Sequence, residues 1–297
     1  MNLTGSNAFR LPLLLSVAIV VAACAGGEAP TGEPVADSAP VEAPAAETVV
    51  NADKLAAVLA GDHRSDANKA RDQWRNPAET LEFFGVADDK VVMEIWPGGG
   101  WYTEVLAPYL RDSGTYIAAG WDPESEMPFI RNAMAAFTGR LAERPDVYDQ
   151  VQMGVLMPPA MMSPAEPGTV DVVMTMRNIH NWMPRNSQGD MLKAMYDALK
   201  PGGILGVVEH RGVAGSEQDP KAASGYVNED YAIAMVEAAG FEFVASSEIN
   251  ANPADTKDHP EGVWTLPPTL RLKDVDRDKY LAIGESDRFT LKFRKPE

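Results

Sequence analysis

Val91-Val92-Met93-Glu94-Ile95-Trp96-Pro97-Gly98-Gly99-Gly100-Trp101-Tyr102-Thr103 is the stretch whose reading decides the fold. An apolar, β-leaning run carries Glu94 near its end, three glycines follow, and a helix-like segment begins at Thr103. A strand, a glycine turn and a helix N-terminus let backbone N–H groups approach a ligand closely. A carboxylate at the strand end can accept hydrogen bonds from an amine or from sugar hydroxyls. This is cofactor-site chemistry of the nucleotide type. The phosphate-binding G-x-G-x-x-G and a P-loop lysine are both absent, however.

Hydrophobic periodicity outward from this stretch predicts strands alternating with helices. Helical spacing covers Asp53–Ala60, Asn68–Trp74, Pro77–Phe84, Met127–Leu141, Asp190–Leu199 and a segment from an Asn228 cap to Ala239, where Gly240 ends it. Strand candidates are Val91–Trp96, Thr115–Gly120, Tyr148–Met153, Asp171–Met176, Ile204–Glu209, Phe241–Ile249 and Phe289–Arg294. Such alternation implies an α/β fold: a mostly parallel, seven-stranded Rossmann-like sheet with helices on both faces. Ligands of such sheets bind beyond the carboxyl ends of the strands, where strand order reverses. The glycine turn lies at one such end, and Met176-Arg177-Asn178-Ile179-His180 runs out of another.

Three segments stand in register between Val91 and Leu205: Glu94 to Gly100, Asp171-Val172-Val173-Met174 leading to Ile179-His180-Asn181-Trp182, and Ala198-Leu199-Lys200-Pro201-Gly202-Gly203-Ile204-Leu205. Together they resemble the first, fourth and fifth motifs of class I S-adenosylmethionine-dependent methyltransferases, with Trp96 where the first motif usually has its first glycine. Pro97–Thr103 combined with Gly284-Glu285-Ser286-Asp287-Arg288 is similar to a bacterial group of predicted methyltransferases, many carrying export signals. The resemblance implies S-adenosylmethionine as cofactor. Glu94, Pro97, Gly98, Gly99 and Gly100 would then lie along its methionine portion, with Asn178 at the neighbouring strand end. Tyr102 and Thr103 would contact its carboxylate, and Asp122 would hold the ribose hydroxyls, with Glu124 or Glu126 as substitutes.

His180 is the catalytic candidate. Methyl transfer is an in-line displacement that chiefly requires positioning, but a hydroxyl acceptor must also lose its proton, and imidazole suits that task. His180-Asn181-Trp182 resembles the His-Asp-Trp of small-molecule O-methyltransferases, although Asn181 carries no charge to raise a neighbour's basicity. A loop-packing or substrate-orienting role is the alternative. Glu209-His210 reaches the same rim and with His180 could suggest a metal, yet no metal site is expected, since nothing in the spacing requires convergence. Arg71, Asp72 and Arg75 form either an arginine fork for a carboxylate or surface ion pairs on a helix.

The N-terminus speaks to localisation. Arg10 precedes the apolar run Leu11–Ala23, too short for a comfortable permanent span and suited to a secretory signal. It ends in Val21-Ala22-Ala23-Cys24, which looks like a bacterial lipobox, making residues 1–23 a signal peptide and Cys24 the lipidated residue. Residues 24–50, rich in Ala, Pro and Glu, read as a disordered tether, and 51–297 as the methyltransferase-like domain. The expected location is the bacterial cell envelope, facing the periplasm, with the lipid as the sole membrane contact. A net charge of −17 argues against a nucleic-acid partner. The expected partner is a small-molecule acceptor methylated at oxygen. The alternative is a non-catalytic envelope lipoprotein that binds a small molecule, because the cofactor is not freely supplied outside the cytoplasm. A nicotinamide-dependent oxidoreductase is disfavoured by the glycine spacing.

Overall fold

The computed structural model describes residues 49–297; the signal peptide, Cys24 and nearly all of the tether expected from the sequence lie outside the described residues. Among the described residues no helix is long and apolar enough to cross a membrane. The described residues begin with four helices, α1 (Ala52–Ala60), α2 (Asp66–Lys69), α3 (Asp72–Arg75) and α4 (Pro77–Phe84). Then come β1 (Val91–Ile95), α5 (Thr103–Leu110), β2 (Thr115–Gly120), α6 (Pro128–Glu143), α7 (Pro145–Tyr148) and β3 (Gln152–Val155). The second half holds β4 (Val170–Met176), α8 (Ile179–Trp182), α9 (Gln188–Ala198), β5 (Leu199–His210), α10 (Glu229–Ala238), β6 (Glu242–Ser247), α11 (Arg277–Ile283) and β7 (Arg288–Arg294).

The seven strands form one sheet in the order β3-β2-β1-β4-β5-β7-β6, with β7 alone reversed against its neighbours. The alternation of apolar side chains divides the core in two. Met93, Ile95, Val173, Leu205 and Val207 point to the face covered by α9 and α10, through Met191, Leu192, Met195, Ala232 and Val236. Val92, Val172, Met174 and Val208 point the other way, onto Leu55, Leu81, Phe84, Val105, Leu106 and Phe137. Strands buried on both faces are the reason these runs are apolar almost without interruption.

The departures from expectation have local causes. Tyr148–Met153 is not a strand: Pro145 opens the helical turn α7, with Asp146 beside its positive end, and the strand starts only at Gln152. The Asn68–Trp74 helix is two shorter ones, the first capped by the Ser65 hydroxyl accepting from Asn68 N at 3.2 Å. Lys200–Gly203 belongs to β5 itself, whose pairing with β4 is irregular between Val170 and Val172. Asn228 stands at the N-cap of α10, but its side-chain amide donates to Ser216 O at 2.7 Å instead of capping.

The switch point falls between β1 and β4, since the chain moves outward from β1 in one direction to β2 and β3 and in the other to β4 and β5. Asn178 Nδ2 donates to Ile95 O at 2.8 Å and ties the two strand ends together. Trp96 leaves β1 in the left-handed region, at φ 46°. That conformation explains why glycine is usual at this position in the motif, and it costs a non-glycine residue about 1–2 kcal/mol. The indole compensates: Nε1 donates to Leu156 O at 2.9 Å, and the ring packs on Trp121 and Trp182 at centroid distances of 5.5 and 6.4 Å.

Trp96→Ala is therefore expected to destabilise more than Trp96→Gly, by about 1 kcal/mol, because alanine loses the contacts while retaining the strain. Urea unfolding of the two variants measures this, and an alanine variant as stable as the glycine one contradicts it.

Candidate cofactor and catalytic site

A cavity of about 500 Å³ opens over the carboxyl ends of β1, β4 and β5. Of the residues singled out from sequence, Glu94, Pro97, Gly98, Gly99, Tyr102, Asn178 and His180 line it together. A second, apolar groove of about 220 Å³ shares Trp96, Pro97 and Gly98 with it and is walled by Trp121, Phe129, Met134 and Phe137 near the end of β2. Gly98 sits between the two, at φ 58°, and a Cβ there would meet only Trp96 O, at 3.9 Å. Gly100 faces Phe137 and Thr103 and lines neither space. Thr103 lies behind Glu94, its hydroxyl bonded to that of Tyr116 at 2.8 Å. Asp122 also lines neither: its Oδ1 accepts from Glu124 N at 2.9 Å and closes the turn after β2.

Glu94 is buried at the end of β1, and its Oε2 accepts from the Tyr116 hydroxyl at 2.6 Å. Burial raises its pKa to about 7 against the opposing pull of that hydrogen bond, of the Arg177 guanidinium, of Thr103 and of Arg75. Its charge is therefore in balance near neutral pH and responsive to a cation placed beside it.

His180 opens the short helix α8. Its Nδ1–H donates to Glu209 Oε1 at 3.0 Å, and its backbone N–H donates to Glu209 Oε2 at 3.2 Å. Glu209 is fully buried and also accepts from His210 N at 2.8 Å. The carboxylate that Asn181 does not provide is thus supplied by Glu209 of β5, twenty-nine residues after His180. This follows from β4 and β5 being adjacent and parallel, with Met176 paired to Val208. With Nδ1 so engaged, Nε2 carries the lone pair. The His210 ring lies tilted against His180, 5.2 Å between centroids, and bonds Ser286 Oγ through Nδ1 at 2.5 Å. Burial, then His180, Arg177, Arg288 and Arg75, hold its pKa well below the usual value, so its ring is neutral.

His180, Glu209 and His210 bring ligand-type atoms within 4.8 Å of one another. Both carboxylate oxygens are already engaged by N–H groups, and the surrounding guanidiniums make the place unfavourable for a dication.

Arg71 and Arg75 are not surface ion pairs. Arg71 Nε donates to Glu285 Oε1 at 2.6 Å, Arg75 Nε to Glu285 Oε2 at 3.1 Å, and Arg288 Nη2 to Glu285 Oε2 at 2.5 Å. Burial raises the Glu285 pKa, but Arg288, Arg75, Arg177 and Arg71 outweigh it and hold the carboxyl down to about 2. Gly284 lets this loop close on α3: a Cβ there would lie 2.3 Å from the Trp74 ring. Asp72, read beside the arginines, turns away to a bidentate pair with Arg64 at 2.7 and 2.8 Å. The role of Glu285 was not visible in the sequence, because two of its three partners, Arg71 and Arg75, are 214 and 210 residues distant.

No family model and no curated protein matches the chain by sequence. Solved structures do match. A SAM-dependent methyltransferase from Aquifex aeolicus is similar with a TM-score of 0.51 at 14% identity, over 76% of this chain and 92% of that one. The chain has the class I methyltransferase fold. Phosphoethanolamine N-methyltransferase 2 of Haemonchus contortus, solved with S-adenosyl-L-methionine, gives 0.51 at 16% identity, over 75% of this chain and 53% of that one. The [4+2]-cyclase SpnF gives 0.50 at 18% identity, over 80% and 84%. At these identities the likeness concerns fold. Chemistry has to be argued from the site.

The buried Glu94 yields a pH test. Its folded-state pKa of about 7 lies above the ordinary 4.5, so its stabilising contribution is complete below pH 4.5 and is lost as pH rises through 7. Glu94→Gln keeps an acceptor oxygen without the titration. From pH 5 to pH 8 the wild type should lose up to about 3 kcal/mol more unfolding free energy than the variant. Parallel losses in urea titrations at the two pH values contradict the burial argument.

Proposed function

We propose that this protein is an S-adenosylmethionine-dependent methyltransferase acting on the hydroxyl oxygen of a small acceptor, with His180 as general base. The observation that carries the reading is the His180–Glu209 pair, with His180 set in the wall of a cavity that the glycine turn also lines.

The two adjoining spaces suit the two halves of the cofactor. The aromatic groove of Trp121, Phe129 and Phe137 suits a purine, and the polar cavity suits an amino-acid tail. Glu94 offers a carboxylate to an ammonium, and Arg140, whose Nη1 is 3.9 Å from a Cβ built on Gly99, offers a guanidinium to a carboxylate. Asp122 has its carboxylate committed to its own turn, so the ribose role assigned to it requires that turn to share the group. When bound, the cofactor supplies an electrophilic methyl group on a sulfonium.

His180 has its ring fixed by Glu209, and Nε2 is left as the acceptor for a proton from the substrate hydroxyl. Glu209 stabilises the imidazolium that results. Trp264, edge-on to His180 at 6.0 Å, helps to exclude water from the base. His210, kept neutral, adds no repulsion to that charge.

Calorimetry of the full-length protein with S-adenosylmethionine tests the cofactor. Binding in the micromolar range is expected, and no binding at about 1 mM refutes the reading. Gly99→Arg should abolish binding while the fold survives, because a Cβ at Gly99 meets nothing nearer than 3.9 Å. His180→Ala should retain cofactor affinity and lose about 10²–10⁴ in methyl transfer from labelled cofactor to hydroxyl acceptors. Undiminished transfer removes His180 as base.

We further propose attachment to the cell envelope through Cys24, with the domain facing the periplasm. Palmitate labelling of cells should mark the wild type and not Cys24→Ser. A labelled variant refutes the anchor.

A further inference from the structure

The cavity reverses the charge of the molecule that holds it. The chain carries 43 acidic against 26 basic residues, yet Arg71, Arg75, Arg140, Arg177 and Arg288 line the cavity against two carboxylates, Glu94 and Glu285. Arg75 and Arg288 are buried, Arg71 and Arg177 half-buried and Arg140 exposed. Buried cations are costly unless paired, so the buried part of this excess needs a cause.

Glu285 cannot supply the balance. One carboxylate already accepts from Arg71, Arg75 and Arg288. Arg177 stands close enough to depress the pKa of Arg75, of Arg288 and of His210, yet its guanidinium has no acceptor among the described residues. Arg75 is only 3% exposed and uses only Nε toward Glu285, leaving both terminal nitrogens without a protein acceptor among the described residues. It is also fixed in place, its guanidinium stacked on Trp101 at 4.7 Å. Glu209 already accepts from three N–H groups, and Glu94 turns its Oε2 to Tyr116. Two guanidiniums on the cavity wall thus present unfilled donors, one on a buried and one on a half-buried side chain.

We propose that Arg75 and Arg177 seat an anionic group, a carboxylate or a phosphate, of the cavity's second ligand, which makes the methyl acceptor a small hydroxyl-bearing acid. The word acceptor rests on the methyltransferase reading; the anion seat rests on the cavity alone. Arg140, beside Gly99, is left for the cofactor's own carboxylate. The acceptor then spans from the arginines to His180, under the apolar cover of Val263, Trp264 and Pro267. Its anionic end would hold the hydroxyl against the base, and neutral molecules of the same shape would leave the guanidiniums unpaired.

The test is calorimetry of full-length protein at low ionic strength, with inorganic phosphate and with succinate as separate probes, each with and without saturating S-adenosylhomocysteine. At least one probe should bind, and its affinity should stay within about twofold when the cofactor product is present. Arg177→Gln, which removes no hydrogen bond or ion pair of the guanidinium among the described residues, should weaken that probe by about tenfold or more, as expected for losing a charge-assisted hydrogen bond. S-adenosylhomocysteine affinity should be unchanged in the same variant. The preferred probe tells phosphate from carboxylate. Binding of neither probe, equal binding by Arg177→Gln, or competition between probe and S-adenosylhomocysteine overturns the seat; the last would mean that these arginines hold only the cofactor's carboxylate. If a probe binds in the Arg177-dependent manner and S-adenosylhomocysteine does not bind, the seat stands and the methyltransferase reading falls.

Discussion

The carboxylate of Glu285 is the interaction on which the site depends. It accepts from arginines carried by three different parts of the chain: the segment joining α2 to α3, α3 itself and the start of β7. Without that charge, the buried guanidiniums of Arg75 and Arg288, with Arg71 beside them, would be left without a carboxylate, a cost of several kcal/mol per buried unpaired charge. The loop bearing it is held from behind. Asn252 Nδ2 donates to the carbonyls of Ile283 and Glu285 at 2.8 and 2.7 Å, and Asp287 N donates to Asp255 Oδ2 at 2.8 Å. The short N-terminal helices, which pack on the sheet but are not part of it, are thereby made a wall of the cavity.

A wall built this way leaves a positive excess facing inward, and the rest of the site answers to it. His210 stays neutral, Glu94 titrates near pH 7, and Arg288 is pushed down to about 10 by burial despite Glu285 beside it. The His180–Glu209 pair stands within this field as a separate unit, oriented by backbone N–H groups as well as by the ring contact. The glycine turn contributes open backbone, and Trp96, in a conformation usual for glycine, contributes the aromatic divider between groove and cavity. Fold and chemistry therefore have different supports: the sheet rests on apolar burial, the site on a few charges.

That division explains what could be read from the sequence. The strands announced themselves because burial on both faces leaves runs such as Val170–Met176 nearly free of polar residues. The glycine turn and His180 were legible because local backbone needs and a reactive residue type are written in consecutive positions. Glu209 was seen, but as a metal candidate, since its pairing with His180 depends on β4 and β5 lying side by side. The Arg75–Glu285 contact joins the two ends of the domain, and a helix bearing Arg-Asp-Gln-Trp-Arg has the same composition whether it lies on a surface or lines a cavity. Asp122 illustrates the converse: an acid at the expected place in the chain whose side chain serves its own turn.

Hydrogen exchange of Glu285→Gln tests the claim most directly. The account predicts that amides of residues 66–76 lose protection while those of β1, β4 and β5 keep theirs, because the wall depends on the carboxylate and the sheet does not. Unchanged protection across residues 66–76 would contradict it, and would mean that packing alone, without Glu285, holds the arginines over the cavity.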